Sequence, residues 1–255
     1  MRFPGNTIHP SAFIGPDVSM GTGNTIGPFS YLDGSIALGN DNKIWNHVVI
    51  SGNIRIGDQN EFFPFSSIGL TADIPGSEPP FRADGLINIK NRNTLKSYVH
   101  IQSPMRTDLT SIEDDCYFMP HAYVAHDCKI GSFVILSGGA KIAGVCILED
   151  YVNAGVGAVV HQRTTLGESC FLGMNATVTK HVPPFAIVTG SPARILKLNR
   201  RGMEKRGMDH LDLDDLENRF TTLLGNIPDE THVVYKKWNA FFERYPNALK
   251  SFHKS

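Results

Sequence analysis

Three residues at a fixed interval carry the chemistry this sequence offers. His126, Gly144 and Gln162 lie eighteen residues apart. In a coil that closes every eighteen residues they would stack in one column, about one strand spacing (~4.8 Å) from each other. A histidine beneath a glycine on the outside of such a coil sets a general base beside a backbone N–H that no bulky neighbour covers. Acyl transfer needs that pairing. Asp127 follows His126, where it either holds the imidazole tautomer or sits as a solvated corner.

The elements that must position these residues follow from a six-residue beat. Counting from Ile8, every sixth residue is large and apolar through Ile68. The beat returns at Ile89, Leu95 and Ile101, then runs from Ile112 to Val178, including Ala154. Neither a helical period of 3.6 nor a strand period of 2.0 gives this pattern, whereas hexapeptide repeats are the signature of a parallel β-helix. Glycine follows the beat residue at Gly15, Gly21, Gly27, Gly39, Gly57, Gly131, Gly167 and Gly173, and the expectation is a corner conformation that glycine alone adopts cheaply. Two interruptions, about 70–88 and 102–111, read as loops projecting from corners, where binding residues concentrate. Beyond Pro183 and Pro184 the beat stops. Leu213, Leu216, Phe220 and Leu224, then Val234, Trp238, Phe241 and Phe242, take helical spacing, with Gly225 as a stop and a last short helix from Pro246. The chain therefore divides into an all-β solenoid over 1–190 and a helical C-terminal domain of three or four helices over 191–255.

Bulk properties remove several function classes. A net charge of -1 over 255 residues lacks the basic footprint of a nucleic-acid binder. No apolar run is long enough for an integral membrane segment, and the opening MRFPGNTIHP has no apolar core of a signal peptide. The expectation is a cytoplasmic protein. Cys116, Cys128, Cys146 and Cys170 form no CxxC pair and all fall four places after a beat residue. They read as small interior packing residues.

The beat over residues 8–184 resembles that of the hexapeptide-repeat acyltransferase superfamily. This resemblance implies a triangular, left-handed parallel β-helix of eighteen residues per coil, close to nine coils here. More specific matches are His121-Ala-Tyr-Val-Ala-His126-Asp127-Cys, Ala143-Gly144, His161-Gln162 and Val182-Pro183-Pro184. Asn199 followed by Gly202, Arg206-Gly207 and Tyr245-Pro246 continue them. In these the sequence is similar to the bacterial UDP-N-acetylglucosamine 3-O-acyltransferases of lipid A assembly. The likeness implies His126 as the base that takes the sugar hydroxyl proton, Gly144 N–H as the oxyanion donor, and an acyl carrier protein thioester as co-substrate, with no metal and no other cofactor. It implies that Asp73 contacts the sugar, and that His161, Gln162, Asn199, Lys205 and Arg206 face the nucleotide or carrier arm. Met174 falls at the family's hydrocarbon ruler, which implies an acyl chain of about ten carbons or fewer. A homotrimer with sites between subunits is implied as well.

The pattern departs from that family at Tyr123, Val145 and Ile101-Gln-Ser-Pro104, positions that bear on which nucleotide sugar is accepted, and on whether a hydroxyl or an amine is acylated. Gly190-Ser-Pro-Ala-Arg194 resembles the coil exit of coenzyme A-dependent sugar acetyltransferases, which keeps a coenzyme A donor open. Arg194, Lys197, Arg200, Arg201, Lys205 and Arg206, against Glu204 alone, form a basic patch suited to an acidic carrier or phosphates. His121 and His126 also resemble the zinc pair of γ-class carbonic anhydrases, but no third histidine falls near residue 85. A scaffold without catalysis is the remaining alternative.

Overall fold

The computed structural model describes residues 3–72, 85–208, 211–222 and 233–248. The chain winds into a parallel β-helix whose walls are three sheets of eleven, nine and eight strands. Within the coil, strands pair in parallel with the equivalent strand one turn on, as Ile14 does with Leu32 and Val124 with Ile142. Beat residues point inward: Leu32, Ile50, Phe62, Ile68 and Leu136 are fully buried, while Ile8, Ile14 and Met20 near the open N-terminal end are partly covered. Flat strands of two to four residues separated by tight corners cannot close a core alone. Each coil stacks its apolar ring on the next, and the stack becomes one continuous core.

The slot four places after the beat forms a second interior column. In the C-terminal half it holds the four cysteines, all buried and unpaired. Burial pushes the Cys116 thiol up to about 12. In the N-terminal half the same slot holds Asn24, Asn42, Asn60 and Asn93, also buried. The Asn42 side-chain oxygen accepts the Asn60 N–H at 2.9 Å, and its amide donates to the Gly57 carbonyl at 2.9 Å. Such ladders satisfy corner groups that would otherwise be buried without partners.

The glycines after the beat do not adopt the left-handed conformation expected of them. Left-handed φ values occur instead at corner residues such as Phe29, His47, Phe65 and Asp127, most of them not glycine. What excludes a side chain at Gly27 is contact with the next coil, because a Cβ there would lie 2.7 Å from the Asn46 nitrogen. The requirement is close approach between stacked turns rather than an unusual dihedral.

Partners along the chain are normally 18 residues apart, but 33 across the first insertion and 23 across the second. The insertions are thus fifteen and five residues, and strands resume at Leu86 and Leu109, earlier than the loop ends at 88 and 111 expected from the beat. Residues 73–84 lie outside the described part of the chain. The sheet also runs past residue 190: Arg194–Leu198 pairs antiparallel with Ala186–Thr189, so the helical region begins at α1, Arg200–Glu204. Two further helices follow, α2 (Leu213–Thr222) and α3 (Val233–Arg244). Pro246–Ala248 is a turn, and Leu224, Gly225 and the residues after Ala248 lie outside the described part. α3 buries Val234, Tyr235, Trp238 and Phe241, and Trp238 donates its indole N–H to the Pro184 carbonyl at 2.9 Å. That bond ties α3 to the coil at the point where the beat ends.

Candidate active site

The strand Tyr123–Val124 ends at a corner where Asp127 takes φ 63°. Asp and Asn tolerate this region better than most side chains. The corner one turn on donates the Val145 N–H to the His126 carbonyl at 2.9 Å, and the next donates the Arg163 N–H to the Gly144 carbonyl at 2.9 Å. His126, Gly144 and Gln162 therefore occupy one stacked column. A Cβ on Gly144 would lie 2.5 Å from both Cε1 and Nε2 of His126. Only glycine leaves room for the imidazole edge at this place, and among the described residues the Gly144 N–H takes no hydrogen-bond partner.

Asp127 is buried, not a solvated corner. Its Oδ2 accepts from His126 Nδ1 at 2.6 Å. Its carboxylate also receives the N–H groups of Met105 (3.1 Å), Arg106 (2.9 Å) and Thr107 (2.8 Å) and the Thr107 hydroxyl at 2.7 Å. The Asp127 N–H donates to the Thr110 hydroxyl at 2.9 Å. Burial acts to raise the Asp127 pKa, but the hydrogen bonds from His126, Thr107 and Arg106 outweigh it and hold the carboxyl below its ordinary range. An ionised carboxylate only accepts, so Nδ1 is the donor in this bond, and in the neutral ring the lone pair is at Nε2. The result is an imidazole held in one orientation with its Nε2 edge against Gly144. The loop groups that fix Asp127 come from the five-residue insertion, whose contacts have no signature in the beat.

The other residues expected at the site are dispersed. His161 and Gln162 are exposed, with His161 Nδ1 donating to the Gln162 carbonyl at 3.1 Å. Met174 is 73% exposed and is not packed in the core of its own chain. Asn199 caps α1: its side-chain oxygen accepts the Gly202 N–H at 3.1 Å and its amide donates to the Ser169 carbonyl at 2.8 Å. Lys205 is exposed at the C-terminal cap of α1. Arg206 turns inward to pair with Glu168 and lies 4.0 Å over the Tyr151 ring. Arg200 pairs with Asp214 and Glu217, so Arg200 and Arg206 of the basic patch form ion pairs within the chain. Asp73 lies outside the described residues.

His121 and His126 sit at opposite ends of the strand Tyr123–Val124, and His121 stacks on Tyr98 at 4.8 Å. Among the described residues no group of three or more His, Cys, Asp or Glu side chains converges as a metal site would require. Nor is any described helix long and apolar enough to cross a membrane.

Comparison with known proteins places this geometry. A family profile described as bacterial transferase hexapeptide (six repeats) matches residues 109–144, and one described as UDP N-acetylglucosamine O-acyltransferase, domain 2, matches 181–232. A curated acyl-[acyl-carrier-protein]–UDP-N-acetylglucosamine O-acyltransferase of Paracoccus denitrificans is 36% identical over 164 residues, spanning 63% of this chain and 61% of the relative. The match thus covers less than two thirds of that relative's length. A solved UDP-N-acetylglucosamine acyltransferase, 27% identical, superposes with a TM-score of 0.80 over 96% of this chain and 93% of its own. The Francisella novicida enzyme of the same name superposes with a TM-score of 0.81 at 24% identity, over 96% of this chain and 89% of its own, and supports the fold. Coil, corner column and helical cap, with these matches, liken the chain to the hexapeptide-repeat acyltransferase superfamily. Within that superfamily, the branch it resembles in these comparisons is the UDP-N-acetylglucosamine O-acyltransferases.

Proposed function

We propose that the protein transfers an acyl group from an acyl carrier protein thioester to the 3-position of a UDP-amino sugar of the UDP-N-acetylglucosamine type. His126 Nε2 takes the proton of the attacking hydroxyl as its oxygen adds to the thioester carbonyl. The Gly144 N–H receives the oxyanion of the tetrahedral intermediate. Collapse expels the carrier thiolate, which recovers the proton from His126, leaving an ester and a free thiol. A single oxyanion donor of this kind contributes roughly 10²- to 10³-fold in rate. No covalent enzyme intermediate is needed.

The observation that carries this reading is the imidazole edge lying against Gly144 while Asp127 fixes its tautomer. The relatives' printed names support the donor and acceptor classes. Met174 closes the acyl groove and sets a chain of about ten carbons or fewer. Its exposure on its own chain suits a groove wall completed by a neighbouring subunit, as a homotrimer in the cytoplasm would provide. The sugar meets Asp73, while His161, Gln162 and Lys205 line the nucleotide and carrier path. Asn199 and Arg206 shape that path from within, through α1 and through Glu168.

The test is a donor and acceptor matrix. Acyl carrier proteins charged with six to sixteen carbons, and the corresponding coenzyme A thioesters, are incubated with UDP-N-acetylglucosamine and its 3-amino analogue. Turnover with a carrier thioester of about ten carbons or fewer is expected. Turnover confined to coenzyme A thioesters, or none with any pair, contradicts the proposal.

A further inference from the structure

We infer that the pocket between the last corner of the catalytic edge and the end of α3 is a binding site for a phosphate ester. Its origin is a register change. Val160 pairs with Val178, the regular 18 residues on, but Leu166 bridges to Val182, only 16 on. The corner at Thr179–His181 is therefore two residues short, and the turn after α3 forms the opposite wall. The cavity measures about 410 Å³ and is lined by Arg163, Lys180, His181, Arg244, Tyr245 and Pro246 among others, with no acidic side chain among the described residues that line it.

The chemistry of the wall selects the ligand. Arg163 and Lys180 are exposed cations on adjacent turns, and Arg244 adds a third while lying 3.9 Å from Glu149 outside the pocket. Guanidinium forks match the oxygens of a phosphate, and three cations suit a group of more than one negative charge better than a single carboxylate. His181 Nδ1 accepts the Thr165 N–H at 3.0 Å, which leaves Nε2 as the ring's donor, and burial holds the ring's pKa below its ordinary value. The ring stacks on Tyr245 at 4.0 Å, and the Tyr245 hydroxyl is bonded to Thr165 at 2.7 Å. This rigid aromatic wall with Pro246 suits the organic part of an ester.

Position links the pocket to the reaction. Gln162 lines it and also belongs to the His126 column, two strand spacings or roughly 10 Å from the base. One extended molecule can hold its phosphate here with its reacting end at His126. Two such esters occur in the proposed reaction, the nucleotide diphosphate and the phosphodiester of a carrier arm. The choice between them rests on the acyl-transfer reading, whereas the binding does not.

Direct titration separates the two questions. UDP and 4′-phosphopantetheine, with uridine and pantetheine as phosphate-free controls, are titrated into the full chain and into Arg163→Glu/Lys180→Glu. Arg163→Asn/Lys180→Gln, which removes charge without reversing it, serves if the reversal fails to fold. At least one phosphate ester binds, its affinity falls about tenfold or more in the variants, and the controls are indifferent. Weakening of UDP alone assigns the nucleotide, and of 4′-phosphopantetheine alone the carrier arm. His126→Ala leaves the binding unchanged. Equal affinity of wild type and variants for both esters overturns the inference. Charge-dependent binding in a protein that fails the donor and acceptor matrix retains this site and rejects acyl transfer.

Discussion

At the scale of single residues, the site is a set of constraints on one imidazole. Asp127→Asn replaces an acceptor by a group that can also donate, so Nδ1 no longer has to carry the proton. Turnover should fall roughly 10²- to 10⁴-fold, with donor KM little changed, in steady-state assays of folded protein. The same substitution weakens bonds from Met105, Arg106 and Thr107 and costs about 1–3 kcal/mol in denaturant unfolding. Because the folded-state pKa of Asp127 is depressed, its stabilisation is present above the ordinary carboxylate range. It is lost as pH falls through the folded value. The stability gap between wild type and Asp127→Asn should therefore be full at neutral pH and shrink in acid; a constant gap contradicts the proposed ionisation. The column itself was legible in the sequence, since the eighteen-residue spacing is unbroken from His126 to Gln162. The environment of Asp127 was not, because the insertion that wraps it interrupts the period.

At the scale of elements, corners and grooves carry the variation. Val145 holds φ 64°, a conformation costly for a β-branched residue. Val145→Asn should raise stability by about 1 kcal/mol, read as a shift in the unfolding midpoint. Met174→Gly should lengthen the preferred acyl chain, read from relative kcat/KM across a chain-length series; an unchanged preference removes Met174 from the groove. The beat located the walls well, and the cysteine slot was correctly interior. The glycines misled because sequence does not distinguish a residue small for its own dihedral from one small for its neighbour's sake. At Gly27 the neighbour decides, and Asn46 is nineteen residues away. The asparagine ladder was not legible because Asn24, Asn42, Asn60 and Asn93 share their slot with apolar residues such as Val18 and Val48 and with Ser30 and Ser66, so no single residue type marks it.

At the scale of the whole molecule, the helical end is fastened to the coil by Trp238 and by Glu168, which pairs with both Lys237 and Arg206. Lys237→Met leaves this part-buried carboxylate with one partner. The expected cost is up to about 3 kcal/mol, concentrated in the helical region by hydrogen exchange. These contacts were illegible in the sequence because they join residues 38 to 69 positions apart with no periodic relation. The account rests on His126 as the base. The decisive measurement is the single-turnover acyl transfer rate of His126→Ala beside wild type, with the same donor and acceptor and with oligomer size and unfolding midpoint confirmed equal. The account predicts a rate loss of at least about 10²-fold with both substrates still bound; a rate within severalfold of wild type would contradict it.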